Sequence, residues 1–248
     1  MKELIYLLLS VEMKRCYVKI ELYKEVSFDM NAKEMIARRA AKELSNGEVV
    51  NLGFGIPTTV ANFVPEGVEV LLESENGALV FGAAPKDGEE DPDLGNAGGL
   101  PITMIPGSAC FDEATSFCII RGGHVDTTIL GALEVDQEGS IANWATPVAP
   151  GKWSPGMGGA MDLVMGAKKV IATFVHTLKG APKILKKCSL PITGKGCVSK
   201  IITEKCVLEV TPKGLLLVEL AEGVTIEDLR ACTEAEFFVA DEVKPYQL

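Results

Sequence analysis

Apolar positions along the chain switch between two spacings. Met35, Ile36, Ala40 and Leu44 recur at helical intervals, with Asn31 placed as an N-cap and Asn46-Gly47 as a stop. Short, nearly continuous apolar runs with strand character follow at 48–52, 68–72, 102–105, 127–133, 169–175, 201–210, 215–220 and 237–240. Helical stretches are expected at 58–63, 111–120, 159–165 and 226–232. Strands that are apolar on both sides, alternating with helices, predict an α/β fold. The expected architecture is an open, largely parallel sheet with helices on both faces. No low-complexity linker interrupts it, so residues 30–248 read as one domain.

Residues 1–29 do not share this rhythm. The run Leu4-Ile5-Tyr6-Leu7-Leu8-Leu9 is shorter than a secretory h-region, and Glu12, Lys14 and Arg15 follow it with no small-x-small cleavage site. The segment reads as an N-terminal extension or an overcalled start. Composition then narrows the function classes. Of 248 residues, 47% are hydrophobic and 23% charged, and the formal net charge is −10. That balance disfavours nucleic acid and anionic membranes as partners but leaves room for an anionic small ligand at a local site. Seven cysteines, an odd number with no C-x-x-C pair, read as reduced thiols of a cytoplasmic protein and mostly as small core residues. Only His124 and His176 are present, and neither sits in a ligand-like cluster, so no metal is expected. The acidic stretch from Asp87 to Asp93 reads as a solvated loop.

Candidate chemistry gathers at the ends of strands. Gly53-Phe54-Gly55-Ile56-Pro57 is a tight strand-to-helix turn. A dinucleotide fingerprint would need a glycine where Thr58 stands, and Pro57 removes a backbone donor. Asn51 precedes that turn and is placed to point an amide into a ligand crevice. Glu73-Ser74-Glu75-Asn76-Gly77 follows the run 68–72, and a partly desolvated glutamate there suits a general base or a nucleophile. The remaining candidates have plainer readings. His124 reads as a packed loop residue, Trp144 and Trp153 as packing residues, and Met157, Met161 and Met165 as a packed helical stripe. Cys110 and Cys118 lack a histidine partner for nucleophilic work.

The motifs Asn51-Leu52-Gly53-Phe54-Gly55-Ile56-Pro57 and Ser74-Glu75-Asn76-Gly77 together resemble the class I CoA-transferases. The likeness continues in Ile120-Arg121-Gly122-Gly123-His124-Val125-Asp126, Ala142-Asn143-Trp144 and Gly156-Met157-Gly158-Gly159-Ala160-Met161-Asp162-Leu163. It runs on through Leu190-Pro191-Ile192-Thr193-Gly194-Lys195 and Ile202-Thr203-Glu204 and covers nearly all of 30–246. The chain looks like the B (β) subunit of a bacterial 3-oxoacid CoA-transferase of the acetate/butyrate–acetoacetate type. The resemblance implies a three-layer α/β fold and ping-pong transfer of CoA from an acyl-CoA to a short-chain carboxylate or 3-oxoacid. It makes Glu75 the nucleophile that forms a glutamyl-CoA thioester. It places Asn51 and a backbone N–H of Gly158 at the oxyanion, with Ser74, Asn76, Gly77, Gly156 and Gly159 as supporting motif residues. It also implies no cofactor, CoA being a substrate, and an A (α) subunit in an α2β2 heterotetramer.

Two departures accompany the likeness. Glu73 stands where Gln or His usually precedes Ser-Glu-Asn-Gly, with Ala78 in place of a larger aliphatic after it, and the Glu73 charge is expected to raise the pKa of Glu75. The segment 145–149, which borders the glycine loop, is longer than usual. An acyl-CoA hydrolase and a noncatalytic binding or regulatory module on the same scaffold are the alternatives, the latter because fold does not fix function. Residues 1–29 carry five basic and five acidic residues and none of the motifs. Their deletion is therefore expected to leave soluble yield and activity intact, as expression and assay of the truncated chain would read directly.

Overall fold

The computed structural model describes residues 31–154 and 156–248. The expected extension, 1–29, lies outside them. Residues Ala32–Leu248 form one compact unit.

Helix α1 (Ala32–Ala41) leads into β1 (Val49–Leu52). A short helix α2 (Ile56–Thr59) and a 3-10 turn (Val60–Phe63) return the chain to β2 (Leu71–Ser74), which pairs with β1 in parallel. β3 (Ala78–Phe81) and β4 (Met104–Cys110) extend that edge antiparallel. Helix α3 (Glu113–Arg121), capped by the Asp112 carboxylate on Thr115 N–H, crosses to β5 (Thr127–Gly131). β5 lies on the other side of β1. The strands β6 (Glu134–Asp136) and β7 (Ile141–Ala142) pair together, and β8 (Thr146–Ala149) forms a hairpin with β9 (Lys152–Ser154). Helix α4 (Ala160–Gly166) and β10 (Lys169–Thr173) follow. Next come β11 (Thr177–Leu178), β12 (Ala181–Pro182), β13 (Ile184–Leu185), β14 (Lys200–Ile202), β15 (Cys206–Thr211) and β16 (Gly214–Leu220). Helix α5 (Ile226–Ala231), opened by a Thr225–Asp228 capping box, precedes the edge strand β17 (Phe237–Pro245).

The main sheet runs β17-β16-β15-β14-β10-β5-β1-β2-β3-β4. Its centre, β14-β10-β5-β1-β2, is wholly parallel, while antiparallel pairs flank it on both sides. The fold is therefore the expected α/β class with a large, mostly parallel sheet. Two hydrophobic clusters sit on opposite faces, assigned residue by residue through the period-2 pleat. Val50, Ile129, Ile171, Ile202 and Val207 pack under α1 with Ile36, Ala37 and Ala40. Leu130, Val170, Ala172, Ile201 and Leu208 face the other way, under α3, α4 and α5, with Ile120, Leu163, Val164 and Leu229.

Helix α1 is also tied to the sheet by charge. Arg39, 4% exposed, donates to both Glu219 on β16 and Glu43. Lys169 and Lys200, on β10 and β14, close on Glu43 from the strand side and hold its carboxyl at about 2 despite burial. Removing one member would leave a buried charge uncompensated, which is the costly way to break such a network.

Several sequence expectations shift here. The second strand begins at Leu71 rather than 68 and runs through Glu73 and Ser74, because β1 sets its register at Val49↔Leu71. The run 201–210 breaks at Thr203-Glu204-Lys205 into the antiparallel pair β14 and β15. The strand at 102–105 lies later, at Met104–Cys110, where edge pairing with β3 tolerates Pro106. The expected methionine stripe does not pack: Met161 and Met165 are 46% and 69% exposed, since α4 buries Leu163 and Val164 instead. Cysteines are mostly not core residues either. Among those described, Cys206 is buried, whereas Cys110 and Cys118 are exposed on the edge strand and the outer side of α3. His124 is exposed in its loop rather than packed, and the acidic stretch is exposed as expected.

The other histidine is fully buried. His176 Nε2 lies 2.9 Å from Thr233 Oγ1, whose own hydroxyl donates to Leu229 O, so Nε2 carries the proton. Nδ1 then accepts from Thr203 Oγ1 at 3.0 Å. Burial first, and Lys205 second, lower the ring from 6.5 to about 4. The folded pKa lies below the unfolded one, so the contribution is complete above pH 6.5 and is lost as pH falls toward 4. At about 1.4 kcal/mol per pKa unit it amounts to about 3 kcal/mol. Urea unfolding at pH 7 and pH 5 should show wild type losing about 2 kcal/mol more than His176→Gln. Equal losses would remove His176 as the source.

Candidate active site

The parallel strands change direction of travel between β1 and β5: from β1 the chain moves out to β2, then crosses to place β5 on the opposite side. Open α/β sheets bind ligands at such a switch point, outside the carboxyl ends of the strands. A cavity of about 380 Å³ lies there. Its walls include Asn51, Glu75, Leu130, Gly131, Asn143 and Gly156. Phe54, 77% exposed, stands at its side. The tight turn after β1 is needed for this, because a Cβ on Gly53 would meet Leu130 Cδ2 at 2.8 Å.

The four residues after Glu73 divide the work. Ser74 Oγ accepts from Ala97 N–H at 2.8 Å, and Asn76 Nδ2 donates to Gly95 O at 2.8 Å. Both fasten the 95–97 segment beside the cavity. Gly77 turns the chain into β3 at φ +113°, and a Cβ there would collide with the Phe111 carbonyl. Between them Glu75, half-buried, extends its carboxylate toward the glycine loop, where Gly159 N–H donates to Oε1 at 3.2 Å. Gly158 is also near: at φ +53°, a Cβ on it would lie 3.6 Å from Glu75 Oε1. Within the segment 145–149, Thr146–Ala149 form β8, which pairs antiparallel with β9 in a hairpin preceding this loop.

Asn51 is positioned by register. In parallel pairing it stands opposite Glu73 on one side and Thr128 on the other, so the three side chains share a row on one face of the sheet. Asn51 Nδ2 donates to Glu73 Oε2 at 2.9 Å, and Thr128 Oγ1 donates to Asn51 Oδ1 at 3.3 Å. Ser116 Oγ, from α3 above, donates to Glu73 Oε1 at 3.1 Å. The sequence reading missed this clamp, because Glu73 was expected in the turn beyond the strand. Trp153 lies exposed on β9 and Trp144 is half-buried beside Asn143.

The coenzyme A transferase family pattern matches residues 33–231. This chain belongs to the coenzyme A transferase family. It is 50% identical over 212 residues to the beta subunit of the acetate CoA-transferase of Escherichia coli (strain K12), covering 85% of this chain and 95% of that one. It is 52% identical over 208 residues to the B subunit of the succinyl-CoA:3-ketoacid coenzyme A transferase of Helicobacter pylori (strain ATCC 700392 / 26695), covering 84% and 99%. In fold it is similar to an acyl-CoA transferase of Escherichia coli O157:H7, with a TM-score of 0.67 at 23% identity. That likeness covers 87% of this chain and 43% of the solved one.

For a CoA-transferase, the electrostatics of the two glutamates matter. Burial raises the Glu75 pKa; Asp162 and Glu113 push the same way, and the Gly159 N–H opposes them. The repulsion expected from Glu73 is instead felt at Glu73 itself. There burial is the main cause of a raised pKa, the Glu75 charge adds to it, and the Asn51 and Ser116 donors oppose it. Glu73 is the more deeply buried, at 2% exposed, so its charged form is the harder one to sustain.

Two glycine substitutions separate site from scaffold. A Cβ on Gly159, whose φ of −84° suits alanine, would stand 2.9 Å from the Glu75 carboxyl carbon. The Glu75 side chain can yield, so Gly159→Ala should keep wild-type stability while moving the carboxylate, at roughly 10²-fold in kcat. Gly77→Ala meets backbone and should lower soluble yield and Tm instead. Thermal melts beside turnover assays would reveal whether the two effects part in this way.

Proposed function

We propose that this CoA-transferase chain is the catalytic B (β) subunit of a heteromer, with Glu75 as the nucleophile. The carrying observation is the half-buried Glu75 carboxylate, held by the Gly159 N–H beside a cavity at the sheet's switch point. Glu75 attacks the thioester carbonyl of an acyl-CoA; the C–S bond breaks and an acyl-glutamyl anhydride and CoA thiolate result. The thiolate attacks the Glu75 carbonyl and expels the acyl carboxylate, leaving a glutamyl-CoA thioester. The acceptor carboxylate then attacks the same carbonyl and expels the thiolate. That thiolate takes the acceptor's acyl group and frees Glu75. Each attack builds an oxyanion, which we assign to the Asn51 amide and the Gly158 backbone N–H. Energy passes from thioester to thioester, so the chemistry calls for no metal or redox cofactor.

For the acyl pair, we favour short-chain acids and 3-oxoacids, in keeping with relatives named for acetate and for succinyl-CoA and 3-ketoacids. Those relatives are named as beta or B subunits, which supports an A (α) partner, and an α2β2 assembly is the simplest closed form. A net charge of −10 leaves this chain poorly matched to the CoA phosphates, so we assign some of the cationic contacts to that partner. We place the enzyme in the cytoplasm on its free thiols. No helix among the described residues is long and apolar enough to cross a membrane.

Glu75→Gln keeps the shape and removes the anionic nucleophile. Both half-reactions should fall by at least ~10³-fold in the complex co-expressed with its α partner. Borohydride added after acyl-CoA should reduce the thioester to an alcohol, and peptide mass spectrometry should find it at Glu75. A mark at Glu73, or undiminished exchange by Glu75→Gln, would overturn the assignment. Omitting the acceptor acid should halt turnover; continued CoA release would instead indicate a hydrolase.

A further inference from the structure

Glu73 lies outside the covalent chemistry, yet it grips the residue assigned to the oxyanion. We propose that Glu73 is a proton-dependent positioning residue: neutral, it holds the Asn51 amide for the oxyanion, and ionised, it opposes oxyanion formation there. This rests on the reading of Asn51 and Glu75 given above.

The geometry supplies the coupling. Glu73 Oε2 takes the Asn51 Nδ2 donor at 2.9 Å, so an oxyanion on the same amide would stand one hydrogen-bonded group from the Glu73 carboxyl. During attack, negative charge moves from the Glu75 carboxylate to that oxyanion. A charged Glu73 meets this displaced charge in a buried setting where repulsion is weakly screened. It also draws on one N–H of Asn51, leaving the amide a weaker donor through the other, which in the resting site makes only a long 3.5 Å contact to the Glu73 backbone carbonyl. A neutral carboxyl does neither.

The surroundings allow the neutral form. Glu73 is 2% exposed and forms no ion pair with any described Lys, Arg or His. Asn51 and Thr128 in the sheet and Ser116 on α3 are uncharged. The charge that bears on it is Glu75, on the adjoining turn, which disfavours a second carboxylate. Ser116 makes the site indifferent to where the proton sits. Its hydroxyl, 3.1 Å from Oε1, donates to a carboxylate and accepts from a carboxylic acid, while Oε2 keeps the Asn51 bond in both states. A glutamine fits the same way, with its amide N–H on Ser116 and its carbonyl on Asn51.

The test uses the complex co-expressed with its α partner, wild type against Glu73→Gln, assayed from pH 5 to pH 9. Wild-type kcat should fall about tenfold per pH unit once Glu73 ionises, with KM little changed. Glu73→Gln should lose that alkaline limb and keep the acid limb set by Glu75. Infrared titration gives a readout independent of turnover. A protonated-carboxyl band that titrates with the alkaline limb should be present in wild type and lost in Glu73→Gln, which keeps only the Glu75 band of the acid limb; in Glu75→Gln the Glu73 band should remain and titrate at lower pH, where the repelling charge is gone. An unmoved alkaline limb in Glu73→Gln, or an unchanged carboxyl band, overturns the proposal, provided borohydride still marks Glu75. Failure to mark Glu75 in wild type overturns the reading beneath it.

Discussion

Parallel register across three strands is the constraint on which the site depends. Because Asn51 lies opposite both Glu73 and Thr128, a row of polar side chains is forced onto one face of the sheet. A buried carboxyl without a cation is costly unless its oxygens are engaged, and the row engages them. Asn51 covers one oxygen from the neighbouring strand and Ser116 the other from the helix above. The position of α3 over β1 and β2 is therefore tied to the chemistry of a single residue, as well as to the packing of Ile120.

The turn that follows the row makes this order into a usable group. Ser74 and Asn76 commit their polar atoms to the 95–97 segment, and Gly77 uses its conformational freedom for the reversal into β3. The carboxylate between them is held from across the cavity, by a backbone N–H of the glycine loop. Its position thus depends on two segments 84 residues apart in sequence being brought together by the sheet. The same arrangement accounts for Gly159 of that loop: a side chain there would occupy the space the Glu75 carboxyl fills.

Charge in the fold is kept apart from the site. The buried network of Arg39, Glu43, Glu219, Lys169 and Lys200 anchors α1 on the face opposite α3 and α4, so these cations are paired within it. None of them reaches Glu73 or Glu75. The two site glutamates are left in an environment where burial favours their neutral forms and only hydrogen bonds resist it.

Much of this was legible in the chain. The alternation of apolar runs with helical spacing fixed the α/β class, since strands apolar on both sides require cover on both faces. Asn51 and Ser74-Glu75-Asn76-Gly77, singled out by their resemblance to the CoA-transferases, lie at the strand ends where the structure places the cavity, because polar residues at strand ends and glycines at turns follow local geometry. What the sequence left open depended on partners distant in the chain. Whether Glu73 ends in a turn or a strand was decided by pairing with β1 at Val49↔Leu71, and its burial by Ser116 some forty residues later. The outward stripe of Met161 and Met165 and the exposed edge thiol of Cys110 likewise follow from which faces other elements cover. Periodicity tells how a segment is patterned, but only the tertiary structure decides what lies against it, because register and cover are properties of pairs of elements and no single segment carries them.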